Sequence, residues 1–310
     1  MIRKKIFSLL LLLAAINTQL FAQDLMDMLK ENTPKTDYSY ATFKTSRIVL
    51  GQSIESQAKG TLQFLIEHDF GKLSDGAYGL WGLDVATMRL GFEYGIADWL
   101  SVGFGRSSFD KTFDASVKAK LQRQSTGARN MPISLSFYGA AFLRTYNPPV
   151  KDPTRKEYFS SRMSYVAQLL IARKFSRSFS LQLTPTFIHK NLVPYKTDHN
   201  DLLSLGIGGR IKVAQRTSIN AEYFYQIPGF INSSYEGSES ETVKYKNCLS
   251  IGMDLETGGH VFQFRLTNAQ PMFERAFITE TGSRWQDGDI YLGFTINRVF
   301  TIVKPKLPGK

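Results

Sequence analysis

From residue 60 onward, apolar and polar positions alternate, segment after segment. Leu203, Leu205, Ile207, Ile211 and Val213 share one parity, and Ser204, Gly206, Gly208, Arg210 and Lys212 the other. The next segment sets Ile219, Ala221, Tyr223, Tyr225 and Ile227 against Ser218, Asn220, Glu222, Phe224 and Gln226. Phe179, Leu181, Leu183 and Phe187 stand against Ser180, Gln182, Thr184 and Thr186, and Phe262, Phe264 and Leu266 against Gln263, Arg265 and Thr267. Period two puts alternate side chains on opposite faces of a strand, whereas a helix would scatter them. The pattern predicts twelve strands, near 61–70, 85–94, 99–107, 113–122, 132–144, 162–173, 178–189, 202–213, 217–227, 246–256, 260–268 and 289–299. Most are longer than the five or six residues usual in soluble sheets, and a bilayer-spanning strand needs about nine to eleven.

Tight turns at Gly95–Asp98, Lys174–Arg177, Ala214–Arg216 and Thr257–Gly259 alternate with longer connections at 71–84, 145–161, 190–201, 228–245 and 269–288. The pair around 108–131 is ambiguous, with Phe109–Lys111 as an unusually short loop on the long-loop side. Alternating short turns and long loops are the mark of an all-β, antiparallel up-and-down transmembrane barrel.

Size decides which face meets lipid. Twelve strands about 4.8 Å apart, tilted by about 40°, close to a diameter of roughly 22 Å, leaving a gap of roughly 10 Å inside the side chains. An apolar interior would not fill that gap, so the apolar parity is expected outside and a polar, hydrated parity inside. Polar residues on the lipid parity (His68, Arg106, Arg173, His189, Asn247, His260 and Arg298) all fall near strand ends, where their cost fades. Trp99, Tyr94 and Phe175 cluster at turns like an interfacial girdle.

The predicted lumen lining carries Glu67, Asp69, Glu93, Asp114, Glu222, Asp254, Glu256 and Asp289, against Arg89, Lys118, Lys120, Arg144, Lys174, Lys190, Arg210, Lys212, Lys246 and Arg265. The signs are nearly balanced. That favours a hydrogen-bonded network stiffening the barrel over a weakly anion-preferring pore, which would concentrate one sign.

Composition narrows the class. Of 310 residues, 43% are hydrophobic and 13% aromatic, enough to exclude a disordered chain. One cysteine, Cys248, excludes a disulfide framework and a Cys-rich metal site. Basic Met1–Lys5, apolar Ile6–Ile16 and Leu20-Phe21-Ala22 before Gln23 predict a secretory signal over 1–22, cut after Ala22 and too short in its apolar run for a membrane helix. Residues 23–59 break the strand pattern. Asp24–Glu31 suits a helical turn or two, and Thr42–Ile54 is strand-like but poorly alternating. This segment is expected to dock at the periplasmic mouth or partly plug the lumen, with a frayed leader as the alternative, followed by the barrel over 60–300 and a tail over 301–310.

Four stretches carry a family resemblance: Ser125-Thr126-Gly127-Ala128-Arg129-Asn130-Met131-Pro132, Glu256-Thr257-Gly258-Gly259-His260-Val261-Phe262-Gln263, Thr267-Asn268-Ala269-Gln270 and Phe277-Ile278-Thr279-Glu280-Thr281-Gly282. Together they resemble an uncharacterised, domain-of-unknown-function family of exported β-barrels from Gram-negative outer membranes, over about Ala41 to Phe300. The resemblance implies an outer-membrane barrel and no assigned chemistry. The last strand, with Gly293 inside it and Phe300 at its end, is similar to the C-terminal insertion signal of such barrels.

The four histidines are the candidates for catalysis. His189, with Ser161 and Ser164 on a strand two places away, is the nearest approach to a lipid-face hydrolase pair, but no Gly-x-Ser-x-Gly elbow accompanies it. His199 beside Asp198 and Asp201 reads as a solvated loop cluster rather than a metal site. The formal charge of +11 is spread rather than patched, which argues against nucleic acid. Lys151, Arg155 and Lys156 are placed to meet anionic lipid head groups. The reading is a non-enzymatic narrow channel or small-ligand transporter with a mixed-charge lumen and no cofactor. The alternative is a closed barrel acting as a platform through its external loops, above all 269–288 with Arg284 and Trp285; a hydrolase ranks third. Expected partners are outer-membrane lipids, the barrel-insertion machinery, and a small solute or periplasmic partner.

Overall fold

A computed structural model describes residues 35–146, 158–193, 198–235 and 242–304. The signal segment and Asp24–Glu31 lie outside the described residues, as do Lys151, Arg155 and Lys156. The chain divides into two compact units. In the smaller, Met1–Asp37 with Thr126–Asn130, the Ala128 N–H donates to the Lys35 carbonyl across Gly127, at φ 90°.

The larger unit is a closed antiparallel barrel of twelve strands. In chain order these are β1 (Thr61–Lys72), β2 (Ala86–Ala97), β3 (Leu100–Ser107), β4 (Thr112–Gln122), β5 (Ser134–Arg144) and β6 (Met163–Lys174), then β7 (Phe179–Lys190), β8 (Asp201–Ala214), β9 (Thr217–Gln226), β10 (Cys248–Thr257), β11 (His260–Thr267) and β12 (Tyr291–Thr301). Each pairs with its chain neighbour, and β12 closes the ring on β1 from Tyr291↔Lys72 to Thr301↔Thr61. All twelve predicted strands are present, with ends shifted by a few residues. Phe109–Lys111 turns at the end that carries the long connections, with Asp110 and Lys111 at positive φ.

Burial follows the predicted parity. Along β8, Leu202, Ser204 and Gly206 are buried while Leu203, Leu205 and Ile207 are exposed. Apolar residues exposed at mid-strand, such as Phe104, Phe137, Leu183, Ile207 and Ile251, form an outer belt that meets lipid. The polar residues on this face have local partners at strand ends. His68 stacks on Phe294, Arg106 lies over Phe113, Asn247 donates to the Tyr223 hydroxyl, and Arg298 contacts His260. Trp99 and Phe175 are exposed at the short-turn end, and Tyr94 is half-buried there. Among the described residues no helix is long and apolar enough to cross a membrane.

Two expectations are corrected. Thr42–Ile54 is not a strand but a run of bends tied by one Arg47↔Gln52 bridge. The 269–288 connection is not wholly an external contact surface: it contains a six-residue helix, α1 (Glu274–Thr279), buried along its whole length. Trp285 is half-buried, its Nε1 donating to the Leu249 carbonyl, whereas Arg284 is exposed.

Candidate functional site

The site is the lumen face and the two segments that lie against it, Ala41–Gln57 and Ala269–Ser283. Ala41–Gln57 precedes β1 directly. It makes few backbone bonds to itself, so its buried N–H and C=O groups need other partners. Wall side chains supply them. The Glu222 carboxylate on β9 accepts the N–H groups of Leu50 (2.7 Å), Gly51 (3.0 Å) and Val49 (3.3 Å). On β4, Lys118 Nζ donates to the carbonyls of Glu55, Ser53 and Ser46 at 3.0–3.3 Å. Gln182 on β7 donates to the Gln52 carbonyl at 2.7 Å, and Arg210 on β8 to that of Ala41 at 3.0 Å. Gly208 leaves the space that Ile48 fills.

The second segment meets the first at a buried charge. Glu274 of α1 accepts from Arg47 Nη1 (2.6 Å), Gln52 Nε2 (2.8 Å) and the Tyr138 hydroxyl (3.4 Å). Around this group lies an apolar cluster. Phe43, Ile48 and Leu50 from one segment and Met272, Phe273, Phe277 and Ile278 from the other join Tyr138, Phe142, Leu170, Ile188, Leu202 and Phe224 of the wall. Phe273 stacks on Phe142 at 5.5 Å, and Phe277 meets Phe224 edge-on at 5.2 Å. The expected hydrated interior is therefore corrected. The gap too wide for wall side chains is occupied by inserted chain, which brings its own apolar groups and bonds to strands round the barrel, from Lys118 on β4 to Gln263 on β11.

The predicted lining residues fall into groups. Arg89 on β2 bridges Glu67 and Asp114, bonding Asp114 at 2.6 and 3.0 Å. Arg265 on β11 bonds Asp69 at 2.7 Å and Thr295 at 2.5 Å. Asp254 accepts from Ser218 and Gln263. Lys190 bonds Glu280 at 2.7 Å, and Glu256 pairs with Lys44. Asp289 pairs with Lys72, and Lys174 donates to the Tyr40 carbonyl at 2.6 Å. Glu93, Lys120 and Lys212, nearer the short-turn end, and Arg144 and Lys246, nearer the long-loop end, are half-buried.

Gln182 and Gln263 lie on the predicted polar parity but are absent from the predicted lining, which counts charged groups; both are anchors, as is the Gln63–Asn297 bond at 2.8 Å. Glu274 escaped too, because it lies in a connection rather than on a strand.

At the short-turn mouth, Lys44, Gln57, Gln63, Arg216, Glu256, His260 and Asn297 are among the lining of a cavity of about 480 Å³.

The hydrolase pair is not assembled. The strand bearing Ser164 is β6, next to β7 rather than two places away. Ser164 is buried on the lumen face while His189 is on the outer face, bonded through Nδ1 to Asp201 at 2.6 Å and stacked on Tyr165. Ser161 Oγ instead accepts the Tyr158 N–H. Asp201 is thereby drawn to His189 and not to His199, whose N–H goes to Asn232. Among the described residues no group of three or more His, Cys, Asp or Glu side chains is placed to hold a metal ion.

No curated protein matches the chain. Among solved structures, the KdgM porin has a TM-score of 0.44 and 10% identity, covering 77% of this chain and 99% of the porin. A complex of that porin with disordered oligogalacturonate gives 0.42 and 10%, over 78% and 99%. A triple mutant of the Rhodopseudomonas blastica porin gives 0.30 and 12%, over 73% and 58%. A family model described as a membrane bound beta barrel domain (DUF5777) matches residues 43–300, and the chain belongs to that family.

Proposed function

We propose that the protein is an outer-membrane transport barrel for small polar solutes, closed at rest, with Ala41–Gln57 as its stopper. The observation that carries this reading is how the stopper is held. Glu222, Lys118, Gln182 and Arg210 grip main-chain atoms of the segment. Water replaces such bonds at a small net cost, about 0.5–1.5 kcal/mol for a neutral bond and more for a charged one. The wall behind them carries Glu67, Arg89, Asp114, Asp69 and Arg265, charged groups that hydrate once exposed. A mixed-charge passage of this kind suits small polar solutes of either sign. Export through the signal over 1–22 and recognition of β12 by barrel-insertion machinery belong to the same reading.

The apolar cluster around Phe273 and Phe277 favours a second reading, a permanently closed barrel that serves as a platform through its loops. Planar-bilayer conductance separates the two. The intact barrel should show rare openings, and the Glu222→Ala/Lys118→Ala double variant frequent ones at the same membrane insertion. Silence from both proteins would overturn the transport reading in favour of the platform.

A further inference from the structure

The short-turn mouth holds a second feature that closure of the lumen does not use. The β6–β7 and β8–β9 turns bring Lys174, Arg177, Arg210, Lys212 and Arg216 around one cavity of about 110 Å³, with Lys44 across from them. One carboxylate, Glu256, lines the same space, and it is already paired with Lys44. Two more acids, Asp254 and Glu55, also act on Arg210 from nearby, which sets three carboxylates against six cations. The mouth therefore keeps an excess of positive charge, and an anion that joins it relieves the mutual repulsion of the cations.

Two of the cations already hold acceptor oxygens. Lys174 donates to the Tyr40 carbonyl and Arg210 Nη1 to that of Ala41. Arg210 Nε is buried and has no hydrogen-bond partner, in a side chain of a residue only 8% exposed. Arg177 and Arg216, both exposed at the turns, line the same cavity, and a guanidinium fork can take a planar or tetrahedral oxyanion through two parallel bonds. The space is large enough for a small oxyanion and too small for a bulky organic ligand. Lys174, Arg210 and Lys212 lie on the lumen parity of their strands, away from the apolar outer belt. A ligand there enters from the aqueous mouth, not from the bilayer.

We infer that the short-turn mouth is a binding site for a small soluble phosphate-bearing anion, held by Arg210, Lys212, Lys174, Arg177 and Arg216. The site goes beyond the transport reading and does not rest on it: a permanently closed barrel would keep it.

Calorimetric titration of the full-length chain in detergent micelles with inorganic pyrophosphate tests the site. One saturable site is expected, weakening as salt rises. Affinity should fall at least tenfold in the Arg177→Gln/Lys212→Gln double variant, with the thermal midpoint unchanged. A control variant at the opposite end of the barrel, Lys111→Gln/Arg162→Gln, should bind as the parent does. Doping the micelles with phosphatidylglycerol should leave binding intact. No saturable heat, an equal loss in the control variant, or competition by the lipid would each overturn the inference. Because the readout is binding and not conductance, a silent barrel leaves this test unaffected.

Discussion

The Glu222 carboxylate accepts the Leu50 N–H at 2.7 Å, a bond between the barrel wall and a segment 172 residues away in sequence. The same carboxylate takes the N–H groups of Gly51 and Val49. Glu222→Ala would leave three buried donors without their acceptor, at a local cost of about 3 kcal/mol. Amide hydrogen exchange at Val49–Gly51 should then quicken by about a hundredfold while mid-strand amides stay protected. Unchanged exchange at those three positions would show that the carboxylate is not their anchor.

The inserted connection has an acid-sensitive latch. Burial works to raise the pKa of Glu280, but Arg275 and Lys190 overcome it and hold the carboxyl down to about 2, from an ordinary 4.5. A carboxyl with a lowered folded-state pKa stabilises above its unfolded value and loses that contribution as pH falls through the folded one. The window is therefore pH 4.5 down to about 2, and the effect is about 3 kcal/mol. Exchange in Ala269–Ser283 should rise on acidification through that window, and Glu280→Gln should abolish the dependence.

Gly293 allows two charges to meet across a strand. On β12 it pairs with Arg265 of β11 on one side and Asp69 of β1 on the other, and those two bond at 2.7 Å over it. A β-carbon at 293 would overlap the Asp69 carboxylate. Gly293→Ala should destabilise the barrel by about 3 kcal/mol, since separating a buried ion pair strands both charges. Urea unfolding in lipid vesicles measures it; a cost under about 1 kcal/mol would show that the pair relocates freely.

The outer belt makes a depth-dependent prediction. Ile207 lies midway along β8 and Val213 near its short-turn end, both exposed. Ile207→Arg should cost about 2–4 kcal/mol of folding free energy in a bilayer and Val213→Arg about 0–1. Equal costs at the two depths would mean that this face does not lie in hydrocarbon.

The wall was legible because hydrocarbon outside and polar groups inside write period two into every strand. Ile207 beside Gly208, or Tyr223 beside Glu222, needs no tertiary knowledge to interpret. The inserts were not legible in the same way. Thr42–Ile54 shows no period because its backbone is satisfied by Glu222, Lys118 and Gln182, residues far away in sequence. Helix α1 is six residues long and buried on all sides, so it carries no amphipathic signal, and Glu274 reads as one more loop acid. Parity put Gln182 and Gln263 on the inward face, but a tally of signs gave them no role as anchors. The traces were apolar residues on the polar parity: Phe224 on β9, which faces Phe277, and Phe142 on β5, which stacks on Phe273.

Closure of the ring by β1 and β12 has a consequence for how the molecule is made. The seam from Thr61 to Thr301 joins the first and last staves, so it is fastened only after everything between them has been delivered. Ala41–Gln57 enters the cylinder beside that first stave. Damage to either stave would leave the wall an open strip with two raw edges, so the integrity of the cylinder hangs on both ends of the barrel sequence at once.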